Sequence, residues 1–410
     1  MFPYFLLKPV YVFLQGHPEE ETSLTDKLLN DANLRPARFL DKYTASRTRV
    51  YTEQTVPMAN NRREKASVYL TKTADIGFRV IYGAFDFIDG IAGAILIDQK
   101  GNLIHRWLVN EKDLPWELNA AELNNFPLGF TIFSDGSIIG LFNYGAAIQR
   151  IDWCSERMWA TKGNFHHSVQ YDGKGALWAV GPGENNGISK FNVYTGELLK
   201  TITFAEIMEA NPDTDLLSIR QRVTSEKMRW WKDPWHPNDV EPLTPVMANA
   251  FPQFNEGDLL ISLRSLNLIF ILRPETRNIL WWRSGFMRRQ HDPDWQLDGS
   301  ITVFDNNRKR GHSSIKKIDP TTYNFETMTI NFKEGFYSRS SGNHQVLPSG
   351  NVLVASTHEG RAVEITPEGK VAFEFVNHYR KQTKEVLAVS NVVFLQPDFF
   401  DFEEFPSCGI

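Results

Sequence analysis

Basic charge is scarce in this chain of 410 residues: Lys and Arg number 44 against 49 Asp and Glu, and the formal charge is -5. With no basic field to meet a phosphate backbone, nucleic acid is excluded as the default partner. Cysteine is scarcer still. Only Cys154 and Cys408 are present, too few for a disulfide framework; one bond tying the C-terminal tail to the body and two unrelated thiols are both open. The apolar N-terminal stretch Met1–Leu14 (MFPYFLLKPVYVFL) is too short to span a bilayer and has no recognisable cleavage site. It reads as the end of a longer anchor, a membrane-surface segment, or an arm packed on a partner.

What the chain does have is a repeat. From Gly342 to Tyr379 (GNHQVLPSGNVLVASTHEGRAVEITPEGKVAFEFVNHY) short alternating strands are separated by tight turns such as Pro348-Ser349-Gly350-Asn351 and Pro367-Glu368-Gly369. The same grammar returns in Ala94–Trp107, Gly129–Met158, His167–Phe204, Phe251–Trp282 and Gln290–Phe332, making six units. A sheet of this kind cannot bury both faces alone, and units of four strands repeated around a ring are the signature of a β-propeller. The fold class is therefore all-β, a six-bladed propeller over residues 65–380. An N-terminal arm (1–64), with a short helix expected within Leu24–Leu34, precedes it, and a tail (381–410) completes or caps it. The innermost ring is expected to contain Leu259–Ser262, Ile301–Phe304 and Val352–Ala355. Insertions at Trp107–Asn125 and Ile207–Val246 interrupt the repeat, the second beginning with a helical pattern, EIMEANPDTDLLSIRQRV.

Histidines recur at one phase of the repeat. His166-His167, His236, His291 and His344 each stand at the entrance to the first strand of a different unit, so a propeller would bring them together on its axis. His312, His358 and His378 lie off that phase and read as surface or core residues. Imidazoles can bind a metal, move protons or act as nucleophiles. No Asp or Glu stands at the shared phase, and the neighbours Gln290, Gln345 and Asn238 are weak ligands, so no metal and no cofactor is expected. A set of His, Asn and Arg suits an oxyanion such as a sulfuryl or phosphoryl group, with Arg308 and Arg310 as the guanidinium donors.

Four of these segments, His166-His167 with its following turn, WHPNDV (Trp235–Val240), QHDPDWQLDGSITVFDNN (Gln290–Asn307) and NHQVLPSGNVLV (Asn343–Val354), resemble in order the motifs of the PAPS-independent arylsulfotransferase family. The resemblance covers roughly Ile91–Phe375. It implies a six-bladed propeller that moves a sulfuryl group from an aryl sulfate to a phenolic acceptor through a sulfohistidine, without a nucleotide. On that resemblance His344 is the nucleophile, His236 and His291 hold the oxyanion with Asn238 beside the first, and Arg308 or Arg310 supplies the guanidinium. The family's DNG-type ending is here Asp305-Asn306-Asn307 followed by Arg308-Lys309-Arg310, which leaves the arginine open. The arm places the chain in the bacterial periplasm or at a membrane. The reading from another class is a non-catalytic propeller, a structural or binding subunit of a larger, membrane-associated complex. It would contact a protein partner through residues 1–14 or through 229–249, which hold Trp230, Trp231 and Trp235.

Overall fold

Short apolar strands joined by Gly-, Asn- and Asp-containing turns bury both faces of a sheet only when sheets stack face to face, and this chain stacks six of them in a ring. The computed structural model describes residues 50–52, 68–85, 92–109, 114–116, 126–143, 147–182, 187–218, 234–380 and 385–408. The readings of Met1–Leu14, of Leu24–Leu34 and of Trp230 and Trp231 lie outside these residues.

The protein is an all-β, six-bladed β-propeller. Blade 2 consists of Phe126–Ile132, Ile138–Asn143, Ala147–Ile151 and Arg157–Lys162; blade 3 of His166–Tyr171, Ala176–Val180, Ile188–Asn192 and Leu198–Ile202. Blade 4 holds Pro237–Pro242, Leu259–Leu263, Leu268–Arg273 and Asn278–Ser284, and blade 5 holds His291–Trp295, Ile301–Asp305, Ser314–Ile318 and Phe325–Thr327. Blade 6 runs through His344–Val346, Val352–Ser356, Arg361–Ile365 and Val371–Val376. Blade 1 is built from both ends of the propeller: Phe78–Ala84, Ala92–Ile97 and Leu103–Leu108 are joined by Val389–Leu395, whose register runs from Val389 opposite Gly83 to Leu395 opposite Phe78. The apolar run of the tail is thus the inner strand that closes the ring. In the opposite sense, Val68–Leu70 pairs with Phe373–Phe375 as a fifth, outermost strand of blade 6.

The first strands of neighbouring blades lie against one another around the axis. The inner ring is therefore Phe126–Ile132, His166–Tyr171, Pro237–Pro242, His291–Trp295, His344–Val346 and Val389–Leu395. This corrects the expected assignment: Leu259–Ser262, Ile301–Phe304 and Val352–Ala355 are second strands. They are buried throughout and largely apolar because a neighbouring strand covers each edge and a blade covers each face, whereas a strand on the axis carries more polar groups, as in HDPDW and PNDVEP.

Each of the main core clusters sits between two adjacent blades. Blades 3 and 4, for example, share Val180, Ile188, Ile202, Leu263 and Phe270, all fully buried; each such side chain contributes about 1.5–3 kcal/mol. The tail is pinned by a disulfide from Cys408 to Cys154 at the Ile151–Arg157 turn, with a Cα–Cα distance of 5.4 Å. Around it Trp153 packs on Phe400, Phe402 and Phe405. The insertion after blade 3 opens with a helix, Phe204–Ala210, started by a capping box between Thr203 and Glu206. It is shorter than its sequence pattern suggested, since Pro212 disfavours a helical Asn211 and the chain continues as turns to Ser218.

Candidate functional site

One irregularity repeated from blade to blade makes the site. The inner strands of blades 1 to 5 slip register against their neighbours at Val389/Asn391, Pro127/Phe130, His166/Val169, Pro237/Asp239 and His291/Pro293. A bulge leaves a residue out of the ladder and re-aims its side chain. Here the displaced residues, among them Ser390, Gly129, His167, Ser168, Asn238 and Asp292, line one cavity. His167, His236 and Asp292 take left-handed φ values of 66°, 49° and 53°, a cost that concentrates at functional positions. Gly129 allows the closest approach, as a Cβ there would lie 2.9 Å from the carbonyl oxygen of His167.

His167, His236 and His291 converge. The His167 ring meets that of His236 edge-on at a centroid distance of 4.9 Å and lies nearly parallel to His291 at 6.3 Å. Nε2 of His236 is 2.6 Å from Nη1 of Arg264; a guanidinium only donates, so this nitrogen accepts and the ring proton is on Nδ1. His291 is fixed as firmly. Its Nδ1 is 2.6 Å from Oδ1 of Asn306, whose Nδ2 donates to the carbonyls of Ser338 (2.9 Å) and Ser341 (2.8 Å), so Nδ1 carries the proton. Nε2 of His291 then accepts the Ser341 N–H at 3.1 Å. Burial, reinforced by the Arg264 charge, pushes the His291 pKa down to about 3. His167 is likewise held well below the usual histidine range, first by burial and then by His166, His236, His291 and Arg264. Asn238 lines the same cavity; its Nδ2 donates to the Gln290 carbonyl at 2.7 Å, and its buried Oδ1 has no hydrogen-bond partner.

His344 is not brought into this group. Its strand keeps regular register, with His344 opposite Val354 and no bulge, so its side chain stays buried off the cavity. Nδ1 lies 2.9 Å from Oδ2 of Asp292, and Nε2 lies 2.8 Å from Oγ1 of Thr302. In its place blade 6 offers Ser341, Gly342 and Asn343 to the cavity. Of the two arginines named from sequence, Arg308 is half-buried and its charge reaches His291 and His358, while Arg310 is exposed. A guanidinium in contact with His236 is that of Arg264, at the end of LLISLR, which sequence reasoning missed although an Arg closing a largely apolar strand was a signal. Asn306 was also passed over. So were Asp239, Glu241, Asp292 and Asp294, which alternate along two inner strands directly after the histidine motifs.

His358, off phase in the repeat, is half-buried beside Ser338, with Nδ1 3.1 Å from its Oγ. Its pKa lies well below the usual range because of burial first, then Arg339, Arg308 and His291. The unfolded chain takes up a proton on this imidazole as pH drops through about 6.5, and the folded protein does so only at lower pH, so its contribution to stability falls over that range. Urea unfolding of the wild type and of His358→Gln at pH 7 and pH 5 measures it: the variant should lose less stability over the interval, and equal losses would refute the assignment.

Comparison with known proteins adds the following. Among curated proteins no match is found. Among solved structures, a protein of unknown function from Bacteroides caccae is similar at 13% identity and a TM-score of 0.49, covering 78% of this chain and 98% of that one. Hydrazine synthase from Kuenenia stuttgartiensis is similar at 10% identity and 0.44, covering 67% and 71%; virginiamycin B lyase from Staphylococcus aureus at 14% and 0.37, covering 64% and 74%. The arylsulfotransferase (ASST) family model matches residues 123–378, from the first strand of blade 2 through blade 6, and so spans His167, His236, His291 and Arg264. With well over half of its length matched, the chain belongs to the arylsulfotransferase family.

Proposed function

We propose that the protein transfers a sulfuryl group from an aryl sulfate to a phenol and that His291 carries the group between them. The observation that supports this most is the fixed tautomer of His291, a residue of the cavity wall: Nδ1 is committed to Asn306, and Nε2 is unprotonated, its lone pair accepting the N–H of Ser341 on the same wall. A nucleophile that must later serve as a leaving group needs this arrangement, and a neutral imidazole meets both demands. His344, whose side chain lies off the cavity between Asp292 and Thr302, is the weaker candidate.

In the first half-reaction the Nε2 lone pair forms the N–S bond while the S–O bond to the aryl group breaks, and the aryl oxide leaves with the bonding pair. The Ser341 N–H, displaced from Nε2 by sulfur, is placed to donate to a sulfuryl oxygen, and the Arg264 charge offsets the negative charge on the group. In the second half the phenol oxygen forms the S–O bond, the N–S bond returns its pair to Nε2, and the phenolic proton passes to His167, a neutral base on the same wall. Oδ1 of Asn238 is an acceptor for the phenol hydroxyl before transfer.

Two half-reactions through one covalent intermediate require ping-pong kinetics. With 4-nitrophenyl sulfate as donor and phenol as acceptor, and no nucleotide present, initial rates should give parallel double-reciprocal lines. Intersecting lines would contradict the intermediate, and no turnover of any aryl sulfate would leave a non-catalytic propeller.

A further inference from the structure

Next to the histidines is a second polar cluster that sulfuryl transfer does not employ. On the inner strand of blade 4, Val240 packs into the core shared with blade 3, and the pleat sends Asp239 and Glu241 to the other side of the strand. On the inner strand of blade 5, Trp295 packs into the core shared with blade 4, and Asp292 and Asp294 alternate with it. His344 completes the group from blade 6: one ligand atom each from Asp292, Asp294 and His344 lie within 4.8 Å of one another.

Four carboxylates gathered in one place are unfavourable unless something offsets their charge. No Lys or Arg among the described residues forms an ion pair with any of the four acids. A separate observation points to what is missing. Asp239 is only 1% exposed, it faces the same cavity as Asp292, and its Oδ2 has no hydrogen-bond partner; Oε2 of Glu241 is equally unpartnered. A buried carboxylate oxygen without a donor is costly to keep, and a cation is the partner that several such oxygens can share.

We propose that Asp292, Asp294 and His344, with Asp239 and Glu241 supplying further oxygens, bind one divalent cation between the inner strands of blades 4, 5 and 6. The donor set decides its class. Carboxylate oxygens favour hard cations and the imidazole favours first-row transition metals, so Mn2+ fits the mixture better than Mg2+ or Ca2+. Such an ion would hold three blades together and fix Asp292 on the cavity wall. The proposal requires none of the sulfuryl chemistry and stands or falls separately from it.

The test uses the full chain, stripped with a chelator, dialysed against Mn2+ and analysed by elemental mass spectrometry, with Zn2+ and Ca2+ in parallel. The wild type should retain about one Mn2+ per chain and melt at a higher temperature with the ion than without it. Asp292→Asn/Asp294→Asn should bind none and show no melting shift. The milder Glu241→Gln, which keeps size and removes one charge, should bind Mn2+ about tenfold or more weakly. Retention of no stoichiometric ion by the wild type at about 1 mM Mn2+, Zn2+ or Ca2+, with unchanged melting, would overturn the site. So would undiminished binding by the double variant.

Discussion

Replacing Arg264 by alanine should lower the turnover of 4-nitrophenyl sulfate by about a hundredfold or more, which corresponds to about 3 kcal/mol of transition-state stabilisation. Arg310→Ala should change it less than about twofold. The contrast follows from placement. Arg264 is 7% exposed, lies 2.6 Å from His236 and is the largest neighbouring charge acting on His291, whereas Arg310 is exposed on the turn after blade 5's second strand. Low dielectric around a buried guanidinium gives its charge far more effect than water would. Arg264→Lys should recover only part of the loss, because an ammonium is a point charge and cannot bond His236 and a sulfuryl oxygen with the same fork. The measurement is kcat and KM for the three variants. Equal losses in Arg264→Ala and Arg310→Ala would mean that the guanidinium of the site has been misassigned.

Arg79→Ala should destabilise the fold by about 3–5 kcal/mol. Arg79 in blade 1 and Glu364 in blade 6 are both fully buried, 2.5 Å apart, at the junction where the ring closes. Glu364 also accepts from the Asp75 N–H and from Nδ2 of Asn351, each at 2.8 Å, and the Arg79 guanidinium lies over Phe373 at 4.8 Å and Phe394 at 5.4 Å. Removing the arginine leaves a buried carboxylate without its cation, and that orphaned charge, more than the lost bond, sets the size of the effect. Arg79→Met/Glu364→Leu should therefore be closer to the wild type than either single change. Denaturant midpoints with unchanged slope would measure this, and a loss below about 1 kcal/mol for Arg79→Ala would show that the junction does not depend on the pair.

The ring was legible in the sequence because its signal is local. Turns such as Asp172-Gly173 and Ser349-Gly350, each followed by an apolar second strand, report a blade from a few consecutive residues, and six such reports define a propeller. Which strand faces the axis was harder to read, since burial makes the second strand the more apolar while the inner one is interrupted by polar groups. The histidine phase identified His167, His236 and His291 as one group, and it placed His344 with them for the same reason. What separates His344 is the bulge that blade 6 lacks, a matter of pairing with Val354 that no single strand reveals. Arg264 and Asn306 act through contacts across 28 and 15 residues of chain, and only the folded backbone brings them to His236 and His291.

The claim at the centre of this account is that His291 takes the sulfuryl group. Mixing the protein with 4-nitrophenyl sulfate without acceptor, quenching at alkaline pH and sequencing the peptides by tandem mass spectrometry tests it directly. An acid-labile addition of about 80 Da, the mass of one SO3 group, should lie on the peptide containing Gln290-His291-Asp292, be absent in His291→Ala and persist in His344→Gln. The same addition found on His344, on His167 or on His236 would contradict the assignment.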